Sequence, residues 1–180
     1  KENPNYVPKL LNKTKEYNVN SSEISSDKSD FGPLLVENTL YFTSARNGAR
    51  KNYGWTDEPF LDVYQAEYNA DGTITNAFPV SSINSKWHEG PVSVSADGNT
   101  IYFSSESFKE NESEKVKELK AKFSQVYLYK ATKNGDSWGD IKPLPFNSKE
   151  FSCSNPSLSK DGKTLYFSSN MPNGMGGNDI

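Results

Sequence analysis

Three segments of the 180-residue chain follow one pattern. Each opens on a proline (Pro33, Pro91, Pro156), alternates apolar with small polar residues and passes a short polar turn. Each then closes on a Tyr-Phe pair and two hydroxyl residues, at 41–44, 102–105 and 166–169. The Tyr-Phe pairs lie 61 and 64 residues apart. Period-two alternation on both sides of a turn reads as a β-hairpin, and its return at a near-constant interval reads as one supersecondary unit used several times. Asp97-Gly98 and Asp161-Gly162 supply residues that tolerate positive φ in such a turn, and Glu37-Asn38 stands in their place in the first copy.

Each copy continues after an insertion of variable length. A third strand is expected at 62–66 and 125–131, with Asp179-Ile180 opening the third strand of the last copy. A fourth is expected at 73–80 and 136–144, after the turn signals Asp71-Gly72 and Asn134-Gly135. Four antiparallel strands per unit with short connections predict an all-β chain, more specifically a β-propeller of four-stranded antiparallel blades, about two and a half of them. The expected partition is a connector over 1–16, a closing strand over 17–28, blades over 29–82 and 83–145, and an incomplete blade over 146–180. Ring closure would then need blades encoded beyond Ile180. Between the units a further phrase recurs, as Ile24-Ser25-Ser26, Ile83-Asn84-Ser85 and Phe146-Asn147-Ser148.

Composition agrees with sheet. The apolar share of 33% is low, and it is heavily aromatic, with 10 Tyr, 10 Phe and 3 Trp. Aromatic rings cover much area on half-buried pleated surfaces. A net charge of −3 offers no broad basic field for a phosphate backbone, which argues against generic nucleic-acid binding. No apolar run approaches the roughly 20 residues that cross a bilayer. Cys153, the single cysteine, has no partner here for a disulfide or a metal cluster and is expected as a small semi-buried residue.

The phrase Pro-x-(Leu/Val)-Ser-x-Asp-Gly-x-Thr-(Ile/Leu)-Tyr-Phe-Ser-Ser, near 91–105 and 156–169, resembles the TolB-like, WD-related propeller repeat. The glycine-rich run 173–180 resembles the Gly-Gly-x-Asp-Ile-Tyr that follows it, and Ser29-Asp30-Phe31-Gly32-Pro33 resembles the propeller entry of OmpA-family envelope proteins of Bacteroidetes, PorE-like components of type IX secretion among them. The resemblance covers roughly 17–180. It implies a periplasmic, outer-membrane-associated protein, often a lipoprotein, that reaches peptidoglycan through a separate domain whose binding residues match no position in this sequence.

Catalytic chemistry has little to build on. A nucleophile needs a base within hydrogen-bond reach, and His88 is the one histidine, with no Gly-x-Ser-x-Gly elbow or zinc motif beside it. The Ser-x-Asp-Gly phrase lacks the spacing and the Trp of a sialidase box and reads as turn chemistry. Asp62, Asp97, Asp161 and Asp179 do not fall at an EF-hand spacing. No catalytic residue, cofactor or metal site is therefore expected.

The two insertions are the expected recognition elements, because long loops on a rigid scaffold commonly bind partners. The first, 46–61, carries Arg46, Arg50, Lys51, Tyr53 and Trp55, residue types enriched at interfaces, and is expected to stay mainly irregular because of Gly48, Gly54 and Pro59. The second, 106–124, carries Val116, Leu119 and Phe123 at helical spacing among good helix formers, which predicts a short helix near 113–123. The function expected from these features is a non-catalytic protein-binding or scaffolding module of the bacterial cell envelope, with protein partners. The alternative is a propeller accessory to a hydrolase of the prolyl-oligopeptidase kind, with catalysis in another domain.

Overall fold

The computed structural model describes residues 19–117 and 121–180; the connector expected over 1–16 lies outside them. Strands β1 (Asp30–Val36) and β2 (Thr39–Ser44) form the first hairpin around Glu37 and Asn38. The insertion after β2 holds only a two-residue ladder, β3 (Asn52–Tyr53) with β4 (Glu58–Pro59), and is otherwise irregular. With β5 (Asp62–Tyr68) and β6 (Ile74–Pro79), the first copy is a four-stranded antiparallel sheet in the order β1-β2-β5-β6.

The second copy repeats the arrangement. Its strands β7 (Glu89–Val94) and β8 (Thr100–Glu106) are followed by a 3-10 turn over Ser107–Glu110 and a small hairpin, β9 (Glu114–Val116) with β10 (Ala121–Phe123). Then β11 (Val126–Asn134) and β12 (Ser137–Pro143) complete a sheet ordered β7-β8-β11-β12. The third copy provides β13 (Cys153–Leu158) and β14 (Leu165–Ser169), and Asp179 bridges to Ser169 where a third strand was expected to begin. The chain is thus all-β, built of several small open antiparallel sheets.

One expectation is corrected. Where a helix near 113–123 was expected, β9 and β10 pair antiparallel instead, Ala121 opposite Val116 and Phe123 opposite Glu114. A helix of this length is marginal in water, and its propensity advantage is only tenths of a kcal/mol per residue. The ends of the insertion are also clamped together, Ser107 N–H to Gln125 O at 2.8 Å and Gln125 N–H to Ser107 Oγ at 3.1 Å, which a hairpin accommodates directly. Residues 19–28 of the expected closing strand form turns and bends, and Ile24 packs against the outer face of the first sheet with Phe42, Tyr64 and Ala66.

The Ser-x-Asp-Gly phrase makes the same turn twice. Ser95 Oγ donates to Asp97 Oδ1, Asp97 Oδ1 accepts from Asn99 N–H, Ser95 Oγ accepts from Thr100 N–H at 2.9 Å, and Gly98 N–H closes onto Ser95 O. Ser159, Asp161, Gly162, Lys163 and Thr164 reproduce each bond. Gly98 and Gly162 have φ of 69° and 71°, the left-handed region where a Cβ is costly. In the shorter first turn Glu37 takes φ of 52° instead.

The recurring prolines mark β-bulges. Register slips between Phe31 and Leu34, Glu89 and Val92, and Ser154 and Ser157, so each bulge spans one of Pro33, Pro91 and Pro156. The residue before each proline, Gly32, Gly90 or Asn155, has positive φ. Proline supplies no N–H to the ladder, so a bulge is where a strand tolerates it.

The main core lies between the first two sheets, where Tyr41, Val63 and Val80 meet Val92, Ile101, Phe103, Tyr129 and Trp138. Phe103 and Tyr129, both fully buried, stack at 5.5 Å. Burial of a phenylalanine such as Phe103 contributes about 1.5–3 kcal/mol by leaving water. Strand β13 packs against β7, β8 and β11, and its edge N–H groups find serines there: Asn155 N–H bonds Ser104 Oγ and Leu158 N–H bonds Ser93 Oγ. Cys153 is completely buried, as a small core residue, with Sγ beside Ser169 Oγ.

Candidate functional site

Corresponding strand ends of the three copies converge on one cavity of about 520 Å³. Phe31, Gly90-Pro91 and Ser154-Asn155 come from the bulged starts of β1, β7 and β13. Ala45 and Glu106 come from the ends of the second strands, one residue past the repeated hydroxyl pair in each copy. The wall between sheets one and two is the first insertion, through Tyr53, Thr56, Glu58, Pro59 and Leu61. The lining is mainly apolar and carries no Lys or Arg among the described residues.

His88 fastens the insertion to this wall. Leu61 N–H donates to His88 Nδ1 at 3.0 Å, and Glu89 N–H donates to Leu61 O at 3.0 Å. The ring sits edge-on to Tyr53 at 4.7 Å and against Phe60 at 4.4 Å. Because Nδ1 accepts a hydrogen bond, the neutral ring carries its proton on Nε2. That Nε2–H is buried without a partner, its nearest charged neighbour being Glu106 Oε1 at 3.9 Å. Burial lowers the His88 pKa, so the ring stays neutral and the pair is not an ion pair.

Two glutamates lie behind His88 in contrasting settings. Glu89 is fully buried and satisfied, accepting from Ser85 N–H at 2.9 Å, from Ser85 Oγ and from Ser105 Oγ at 3.0 Å. Its pKa is nonetheless raised, because burial outweighs those bonds. Glu106 has far less support. Burial pushes its carboxyl up to about 7, a hydrogen bond with Ser124 opposes the shift, and the charge of Glu89 adds to it. The repeat offered a clue to Glu106: its counterparts one residue past the hydroxyl pair are Ala45 and Asn170, so a carboxylate is the exception at that position.

The residues singled out from the sequence separate into distinct settings. Arg46 reaches Asp30 at 2.7 Å and lies over the rings of Phe42 and Tyr64; Arg50 grips the fully buried Asp62 through Nε and a terminal nitrogen at 2.8 Å, with Asn47 on the same carboxylate. Both arginines therefore hold the insertion to its own sheet. Tyr53 lines the cavity, Lys51 is exposed, and Trp55 stands 91% exposed near the rim. Phe123 is half exposed in a separate cleft with Glu112, Gln125 and Lys149; Val116 belongs to β9, and Leu119 lies outside the described residues.

Ser104 Oγ accepts from Asn155 N–H and Ser105 Oγ donates to Glu89, so the cavity's two serines on β8 are committed elsewhere than His88. Among the described residues no group of three or more His, Cys, Asp or Glu side chains is placed to hold a metal ion. No helix of the described residues is long and apolar enough to cross a membrane. No protein-family model matches the chain, and no curated protein matches it.

Proposed function

We propose that the chain is part of a non-catalytic β-propeller that binds protein partners as a scaffold in the bacterial cell envelope. The observation that carries this reading is the convergence of equivalent strand ends from three repeated units on one apolar cavity. In a propeller, such ends surround the mouth of the central channel. The two four-stranded meanders and the third, shorter sheet have the strand order of successive blades, and β13 lies against the neighbouring sheet as adjacent blades do.

Recognition of a protein fits the rim. Trp55 is almost fully exposed on an insertion that His88, Arg46 and Arg50 tie to its sheet, and a large exposed aromatic offers contact area to a partner. The envelope assignment, with type IX secretion and a peptidoglycan link through a separate domain, rests on the likeness of the repeat phrase and the entry segment 29–33. A photo-crosslinking residue at position 56 of the intact protein, in the bacterium that encodes it, tests the reading. A discrete adduct with an envelope protein, weakened by Trp55→Ala, is expected. Adducts with cytosolic proteins alone, or turnover of a peptide or ester substrate by the purified protein, would count against it.

A further inference from the structure

We infer that the cavity between the first insertion and the strand ends receives a basic side chain of a protein partner, a lysine or arginine whose apolar stem lies against Phe31, Tyr53 and Pro91 while its charged head meets Glu106. The inference rests on the protein-binding reading above and names the chemistry of the occupant.

Charge complementarity carries it. Glu58 and Glu106 give the lining two carboxyl groups, and no Lys or Arg among the described residues offsets them. The nearby guanidinium groups are taken, Arg46 by Asp30 and Arg50 by Asp62. Glu58 is tied to Ser29 N–H at 3.2 Å, which leaves Glu106 as the carboxyl with an open demand. His88 cannot meet it: the neutral ring stands off at 3.9 Å, and its Nε2–H has no acceptor. A largely buried carboxylate without a counter-ion is costly, and a cation that enters the same pocket offsets that cost. The volume lies within the roughly 300–1,000 Å³ usual for ligand pockets, and aromatic walls suit the stem and head of a cationic side chain.

The groups facing Glu106 set how binding depends on pH. They are Glu58 on β4, His88 before β7, Glu89 on β7 and Ser124 before β11. Burial lowers the His88 pKa, so near neutrality its ring carries no charge, and Glu89 adds repulsion that keeps the Glu106 proton on there, where its pKa is about 7. An alkylammonium displaces that proton, so its affinity rises as pH passes upward through about 7 and levels off above.

The test titrates n-butylamine, and 1-butanol as its neutral counterpart, into the intact protein, read by NMR of the Glu106 carboxyl and the His88 ring. Saturable binding of the amine at pH 8, about tenfold tighter than the alcohol, is expected, with the preference gone at pH 5.5 and in Glu106→Gln. Equal binding of amine and alcohol at pH 8, or an amine preference that persists at pH 5.5, overturns the inference. The pH series on the unaltered protein decides it even where Glu106→Gln does not fold. Partner adducts at position 56 without any amine preference would leave the protein-binding reading standing and remove this one.

Discussion

Asn84 grips both main-chain groups of Val63: its Oδ1 accepts from Val63 N–H at 2.8 Å and its Nδ2 donates to Val63 O at 2.9 Å. Asn147 does the same to Leu128, at 3.0 and 2.8 Å. Each asparagine belongs to the phrase between repeats, and each completes the hydrogen bonding of a third strand at a fully buried residue. The amide acts as one more rung of ladder, joining the segment after one sheet to that sheet's interior.

Removing that rung leaves a buried N–H without a partner. Asn84→Ala and Asn147→Ala are each expected to cost about 1–3 kcal/mol, since an unsatisfied buried donor loses its full hydration. The carbonyls are less exposed to the loss, because Val80 N–H and Leu144 N–H also donate to them. Asn84→Asp keeps the acceptor but turns an oxygen toward Val63 O, so it should be no better than alanine. Urea midpoints of the three variants provide the measurement, and similar losses at 84 and 147 would establish the equivalence of the two copies.

Glycine substitutions should separate bulge from turn. Gly90 has φ of 100°, and a Cβ there would lie 2.3 Å from Thr43 Oγ1 on the facing strand. Gly98 has φ of 69° but open space around it. Gly98→Ala is expected to cost about 1 kcal/mol from backbone strain alone, and Gly90→Ala at least about 3 kcal/mol because strain and collision add. Chemical denaturation of both variants checks the order.

Arg50→Ala should be more damaging than its place on a loop suggests. It strips the counter-ion from Asp62, whose side chain is wholly buried and keeps only Asn47. A loss of about 3 kcal/mol is expected, close to that for breaking other buried pairs. Asp62→Asn in the Arg50→Ala background should recover part of it, and thermal melts of the single and double variants decide. Trp55→Ala, by contrast, should shift stability by less than about 0.5 kcal/mol, since nothing packs on a side chain exposed to this degree.

Stability should fall from mildly acidic to neutral pH on account of Glu106. Folded, it titrates near 7; unfolded, a glutamate titrates near ~4.3. The folded state therefore binds the extra proton between those values, and stability drops as pH rises through that window. Asp30 works in the opposite sense at lower pH. Despite some burial, bonds from Ser44, Arg46 and Ser26 bring its pKa to about 2, so its contribution is complete above about pH 4 and is lost as pH falls toward 2. Melting temperatures across pH 5 to 8 should show a steeper decline in the unaltered protein than in Glu106→Gln.

Much of the strand pattern could be read from the residues, because alternation and turn chemistry are local. Thr73 to Val80 and Asp136 to Leu144 lie where β6 and β12 run, and Asp-Gly marks turns that close within six residues. The failures came where distant partners decide. Helical spacing at Val116, Leu119 and Phe123 competed with the pull of two antiparallel strands that the insertion must rejoin, and the strands prevailed. Arg46 and Arg50 resembled interface residues because composition cannot reveal that Asp30 and Asp62 await them across the sheet. Glu106 stood out only as a departure from Ala45 and Asn170 at the same place in the repeat; its environment exists only after the strand ends meet.

The Ser-x-Asp-Gly turns form their side-chain staples entirely among residues 95–100 and 159–164. A hairpin tip of that kind is portable. Its shape travels with its own six residues when a stretch of coding sequence is duplicated or exchanged, whereas the asparagine rungs reach back to the third strand of the sheet before them, and Gly90 and Asn155 at the bulges meet Thr43 and Ser104 of the preceding copy. Growth of such a chain by duplication would thus add units whose tips are correct at once and whose junctions must be fitted afterwards. The second and third turns keep Ser, Asp, Gly and Thr at matching places, whereas the residue before the proline differs between the Gly90-Pro91 and Asn155-Pro156 junctions.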